Sequence, residues 1–205
     1  MDREPASTFE GSVTGIVLAG GRSSRFGADK LQAIVRGRPL LHHPILALAG
    51  CCDAVLVVVS RDGPEPALPE GVTQPVRIVR DAVSDAGPLA GLVAGLAAAV
   101  DPEVLVVGGD QPDLRPELLA LLRAALGPAS AALLADGGEP RSLPMALRRE
   151  PALAAARSAL GADRLSLLGL VLRLDPIIVL EGTWRAADPE GAWRRDVDRP
   201  EDLPG

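Results

Sequence analysis

Asparagine and tyrosine are absent from the 205-residue chain, lysine occurs once, and two tryptophans and two phenylalanines are its only aromatic residues. Four rings offer little for bases to stack on, and a net charge of −6 repels a polyanion, so nucleic acid is excluded as the expected partner. Cysteine is equally scarce. Cys51 and Cys52 are adjacent and have no further thiol with which to build a disulfide framework or a four-ligand zinc site, so they read as buried, reduced side chains. Long apolar runs are missing too: the longest, residues 87–100, has fourteen residues, short of the roughly 18–20 that cross a bilayer. Residues 1–12 carry Asp2, Arg3 and Glu4 and lack the apolar centre of a secretory signal. They are expected to form a flexible tail ahead of one domain at 13–205, in a cytoplasmic protein with no membrane partner that is a monomer or weak oligomer.

Apolar residues make up 47% of the chain, enough at this length to bury one core. Residues 13–19 are rich in β-branched side chains and end at Gly20-Gly21, the pattern of a buried strand entering a tight loop. Further strands are expected at 54–59, 76–79, 104–107, 130–135, 145–147 and 177–180. Between them, a helix is expected from Pro39 to Ala49, one with Leu89, Leu92, Val93, Leu96 and Val100 at helical spacing, and one from Pro116 with Leu118, Leu119, Leu121, Leu122 and Leu126 on its apolar side. Two more are expected at 151–160 and 164–172. Gly87, Gly91 and Gly95 would let their helix lie close to a sheet, and the segment is too short for the membrane-helix use of that spacing. Strands alternating with helices predict a single three-layer α/β domain of Rossmann-like form, an open, mostly parallel sheet with helices on both faces. Ligands of such sheets sit beyond the carboxyl ends of the strands.

The stretch from Leu18 to Lys30, Leu-Ala-Gly-Gly-Arg-Ser-Ser-Arg-Phe-Gly-Ala-Asp-Lys, follows the first strand directly. Its glycines permit a sharp turn whose backbone N–H groups can approach phosphate oxygens, while Arg22, Arg25 and Lys30 supply positive charge and Ser23 and Ser24 supply hydroxyls. The loop is neither a Walker A sequence nor a dinucleotide fingerprint, because neither spacing is present. Lys30 stands out as the single lysine beside twenty arginines, and a compact ammonium does a different job from a planar guanidinium. Asp110 follows the strand at 104–107, so its carboxylate projects at the same edge as the glycine loop. Magnesium favours such a place, taking one or two carboxylates and completing its octahedron with phosphate oxygens and water. His42 and His43 have no third ligand nearby and read as capping or surface-packing residues, and Asp113 reads as structural.

The same stretch resembles the Leu-Ala-Gly-Gly-x-Ser-x-Arg-Met-Gly-x-Asp-Lys signature of the molybdenum cofactor guanylyltransferase family, with Phe26 where Met is usual. Three later segments are similar to that family's other motifs in the same order: Gly87-Pro-Leu-Ala-Gly91, Gly108-Gly-Asp-Gln-Pro112 and Asp196-Val-Asp-Arg-Pro-Glu-Asp-Leu203. The resemblance implies the nucleotidyltransferase type of the fold, with GTP as donor, a molybdopterin-type acceptor carrying molybdenum, and Mg²⁺ held by Asp110. It also implies nucleotide contacts from Leu18, Ala19, Gly20, Gly21, Ser23, Arg25, Lys30, Asp81, Gly87 and Asp110, catalytic roles for Arg25, Lys30 and Asp110, and an acceptor border at Asp196 and Asp198. Molybdoenzymes or other cofactor-assembly proteins are the macromolecular partners it implies.

Beyond Phe26, the chain departs from the family at four further places. Asp196 and Asp198 replace asparagines, Arg141-Ser142 stands where a His-Pro pair is common, and the base-contacting asparagine at the end of the second strand has its counterpart somewhere in residues 57–60. Ionised aspartates only accept hydrogen bonds and repel phosphate unless a cation such as Arg195 or Arg199 compensates. Aspartates at the closing motif keep a CTP-using relative or a sugar-phosphate acceptor in view as alternatives. A non-catalytic nucleotide- or cofactor-binding scaffold is the alternative of another class.

Overall fold

The computed structural model describes residues 11–20, 30–81, 87–160, 166–197 and 202. The strands among the described residues are β1 (Val13–Leu18), β2 (Ile34–Val35), β3 (Arg38–Pro39), β4 (Ala54–Val59), β5 (Val76–Arg80), β6 (Glu103–Gly108), β7 (Ala131–Asp136), β8 (Glu139–Arg148) and β9 (Ile177–Val179). The helices are α1 (His42–Ala49), α2 (Gly87–Ala98), α3 (Pro116–Leu126), α4 (Arg149–Leu160), α5 (Leu167–Leu172) and the one-turn α6 (Glu181–Trp184). Seven strands form one sheet in the order β5-β4-β1-β6-β8-β7-β9, in which β8 alone runs against its neighbours. No helix among the described residues is long and apolar enough to cross a membrane.

Alternation along the central strands divides the apolar interior into two layers. Val13 and Val17 of β1 pack with Leu41, Ile45 and Leu48 at α1, the leucines of α3 and Trp184 of α6 on one face of the sheet. Ile16 points the other way, to Leu92 and Leu96 of α2 and to α4 and α5. Such two-sided burial explains why the central strands are near-continuous apolar runs. The expected close approach of α2 is present. A methyl group on Gly95 would stand 2.8 Å from Ile16 Cγ2, an overlap that costs about 1–3 kcal/mol where a packed core must give way.

Several boundaries differ from those the sequence suggests. Pro39 does not open a helix but ends a small hairpin, β2–β3, whose turn residues Arg36 and Gly37 both have positive φ (48° and 80°). Helix α1 starts three residues later, and Pro44 occupies its first turn, where a missing N–H costs nothing. The strand expected at 145–147 is ten residues long and antiparallel. Gly137 and Gly138, at φ 59° and 86°, form the two-residue turn that folds it back from β7. Helix α5 begins at Leu167, capped by the Ser166 hydroxyl, which accepts from the Gly169 N–H at 3.0 Å. Cys52 is buried and Cys51 half-buried, both free, at the amino-end rim of the sheet. The Cys52 thiol, hydrogen-bonded to Cys51 and buried, is held well above the usual thiol range.

Candidate active site

The parallel strands β1, β4 and β6 end together, and the residues that follow them meet at one rim. Leu18 and Gly108 are register partners, and the Gly109 N–H donates to Leu18 O at 3.0 Å, so the turn after β6 is fastened to the end of β1. Gly108 is required there by proximity. A Cβ at this position would fall 2.6 Å from Asp110 Oδ1 and 3.3 Å from Gln111 Oε1, displacing the carboxylate that the turn presents.

Lys30 and Asp110, eighty residues apart, are in contact: Lys30 Nζ donates to Asp110 Oδ2 at 2.8 Å and to Val197 O at 3.2 Å. The side chains retain 17% and 27% of their exposure, so the pair is partly desolvated yet reachable from solution. Val197 returns a bond from its N–H to Asp110 O at 3.0 Å. Its side chain is fully buried against Val35 and Leu40. The β2–β3 hairpin thus anchors the closing segment, and that segment carries Asp196 to the edge of Asp110.

Two further groups brace the turn. The buried Gln111 accepts the Gly108 N–H on Oε1 at 2.8 Å and reaches Trp193 O with Nε2 at 3.5 Å. Asp113, 8% exposed, is clamped between Arg36 and Arg195, the latter at 2.8 Å. Asp113 is therefore structural, as its sequence context suggests. The Arg195 guanidinium is committed to Asp113. Arg199 lies outside the described residues.

The other sequence-derived candidates divide as follows. Ala19 and Gly20 stand at the rim, but the Ala19 N–H donates to Val58 O at 2.8 Å, since pairing with β4 continues one residue past β1. That amide belongs to the sheet and is not available to phosphate, contrary to the expectation from sequence; a backbone cradle must begin at Gly20 or later. Gly21, Ser23, Arg25 and Asp198 lie outside the described residues. Asp81 follows β5, its N–H donating to Val59 O at 2.9 Å, which sets it at the same edge. Gly87 begins α2 with a φ of 73°. Within 57–60, the three valines are buried and only Ser60 is exposed at the rim, packed near Gly20. The histidines are spoken for: His42 Nε2 lies 3.0 Å from Ala67 O and His43 Nε2 lies 2.9 Å from Val35 O. Burial lowers the pKa of His43 and so favours its neutral form.

A cavity of about 330 Å³ opens beside Asp110, with Gln111, Asp196, Arg141 and Ser142 in its wall. Antiparallel β8 explains how residues so far along the chain arrive here. Because β8 runs against β6, pairing Val106 with Met145, its first residues lie at the rim where the parallel strands finish. The sequence gives no direct sign of this, nor of the bracing by Gln111 and Val197, because each depends on pairing across long separations.

The family model of the MobA-like NTP transferase domain matches residues 15–173. A probable molybdenum cofactor guanylyltransferase of Chloroflexus aggregans is 32% identical over 202 residues, covering 93% of this chain and 91% of that protein. A molybdenum cofactor guanylyltransferase of Burkholderia ambifaria is 37% identical over 158 residues, 74% of each chain. Among solved structures, molybdopterin-guanine dinucleotide biosynthesis protein A of Archaeoglobus fulgidus superposes with a TM-score of 0.74 at 20% identity, over 93% of this chain and 94% of that one. The 4-diphosphocytidyl-2C-methyl-D-erythritol synthase of Anaerococcus prevotii reaches 0.68 at 16% identity, over 94% of each. The last two share the fold; the family match over most of the chain, joined to the two curated relatives, shows that the chain belongs to the MobA-like NTP transferases.

Proposed function

We propose that this protein transfers GMP from GTP to the phosphate of a molybdopterin-type acceptor carrying molybdenum, giving the guanine dinucleotide form of that cofactor. An oxygen of the acceptor phosphate attacks the α-phosphorus of GTP; the new P–O bond forms as the bond to the bridging oxygen breaks, and pyrophosphate leaves with that electron pair. The observation that carries the reading is the contact of Lys30 with Asp110, with the closing segment bonded to both.

Phosphoryl and nucleotidyl transfers need positioning and neutralisation of charge more than covalent chemistry. Lys30 supplies a point charge for the departing pyrophosphate, with Arg25 proposed beside it. Gly20, Gly21 and Ser23 are proposed to line the triphosphate, with Asp81, Gly87 and Ser60 toward the nucleoside. Asp196 and Asp198 border the acceptor. Asp110 fits magnesium: it offers hard carboxylate oxygen, and no group of three or more His, Cys, Asp or Glu converges among the described residues. Most of the coordination would then fall to phosphate oxygens and water, as magnesium prefers. Bound there by Asp110, it would supply Lewis-acid neutralisation of the phosphates.

Donor choice is measured as pyrophosphate release with molybdopterin, Mg²⁺ and each of GTP, CTP, ATP and UTP in turn. GTP is expected to exceed the others by at least about tenfold in kcat/KM, a difference of about 1.4 kcal/mol. The same margin in favour of CTP would overturn the guanylyl reading and leave a cytidylyltransferase.

A further inference from the structure

We infer that Arg141 binds the phosphate of the acceptor and makes the enzyme select phosphorylated over unphosphorylated acceptors; the inference rests on the transferase reading above. The problem it solves is electrostatic. Asp110 and Asp196 both line the cavity, whereas a phosphomonoester carries a charge of about −1.5 to −2 at neutral pH. Lys30 is already paired with Asp110, and a phosphate seated beside these carboxylates calls for a cation of its own.

Arg141 is the one cationic residue among the described residues lining that cavity. It is exposed, and no hydrogen bond or ion pair engages its guanidinium among the described residues. Its neighbours are otherwise occupied: Arg195 holds Asp113 and Lys30 holds Asp110. A guanidinium presents two parallel N–H groups to phosphate oxygens, a geometry that ammonium cannot copy. Ser142 adds a hydroxyl beside it, while Leu143 and Leu168 form an apolar wall for the uncharged body of the ligand. The volume, about 330 Å³, suits a small molecule rather than a protein segment.

The position of Arg141 follows from the fold. Register between β6 and β8 advances by one residue toward the start of β8 for each residue toward the end of β6, from Glu103 with Arg148 to Val106 with Met145. Continued beyond the last pair, it brings Arg141 level with the turn that carries Asp110. A parallel strand in this place would have put its first residues at the far rim.

The test compares equilibrium binding of molybdopterin and of the same pterin lacking its phosphate, to wild type, Arg141→Ala and Arg141→Lys, with GTP affinity measured alongside. Wild type is expected to favour the phosphorylated ligand by at least tenfold. Arg141→Ala should bring the two affinities to within threefold by weakening the phosphorylated one alone, with Arg141→Lys between them and GTP affinity unchanged. In turnover, the KM for molybdopterin should rise while kcat stays within threefold. Equal weakening of both pterins would show a merely structural role and overturn the inference, as would an alanine variant that keeps the discrimination. Wild-type protein that discriminates between the pterins yet ignores GTP would overturn the donor reading and leave Arg141 in its role.

Discussion

Asp110→Ala is expected to lose roughly 10³-fold or more in transfer rate, the scale set by removing a group that stabilises charge mainly in the transition state. The carboxylate is the acidic group that the turn after β6 holds in the contact with Lys30, braced through Gly108, Gln111 and Val197. Loss of activity should not reflect unfolding. The pair with Lys30 is partly exposed, and exposed ion pairs contribute about 0–1 kcal/mol, so the melting temperature should fall by no more than about 2–4 °C. Asp110→Asn separates charge from shape, since the amide keeps an oxygen for Lys30 and preserves the turn. It is expected to be nearly as inactive as alanine in a steady-state assay at saturating Mg²⁺. Retention of more than a tenth of wild-type kcat by Asp110→Asn would show that the negative charge is not used.

Lys30→Met should lower kcat/KM by roughly 10²–10³-fold, with most of the effect in kcat, because the ammonium is asked to meet charge that develops as pyrophosphate departs. Lys30→Arg should recover less than tenfold of that loss. The native ammonium donates from one point to Asp110 Oδ2 and Val197 O. A planar fork on a stem of different length cannot satisfy the same two acceptors from the same place. Circular dichroism and thermal melts of both variants, beside the kinetics, distinguish a chemical loss from a loosened closing segment. Full activity of Lys30→Arg would mean that positive charge alone suffices and that the point geometry is irrelevant.

The parts of this molecule that are legible from sequence are those set by local pattern. Apolar, β-branched runs at 54–59 and 104–107 announce buried parallel strands, and the glycine loop with the single lysine announces an anion site. The Gly137-Gly138 turn is a glycine pair that the sequence reading did not use, although it folds β8 back from β7. The polar start of β8, Glu139 to Ser142, obscured the strand that follows it, since these residues precede the part paired with β6 and lack the apolar run that marks its far half. Direction of β8, and with it the arrival of Arg141 at the site, is a property of the assembled sheet. Arg195 illustrates the opposite error: proximity in sequence to Asp196 suggested a compensating charge, while the fold commits it to Asp113. Val197 offers no chemistry of its own as a side chain; its N–H and carbonyl do the joining of Asp110 to Lys30.

A crystal structure of the protein with Mn²⁺ and a non-hydrolysable GTP analogue tests the central claim most directly. Anomalous scattering should place the metal on the Asp110 carboxylate and on phosphate oxygens of the nucleotide, with Lys30 turned to the triphosphate. A triphosphate bound away from the Lys30–Asp110 rim, or a metal that ignores Asp110, would contradict the account.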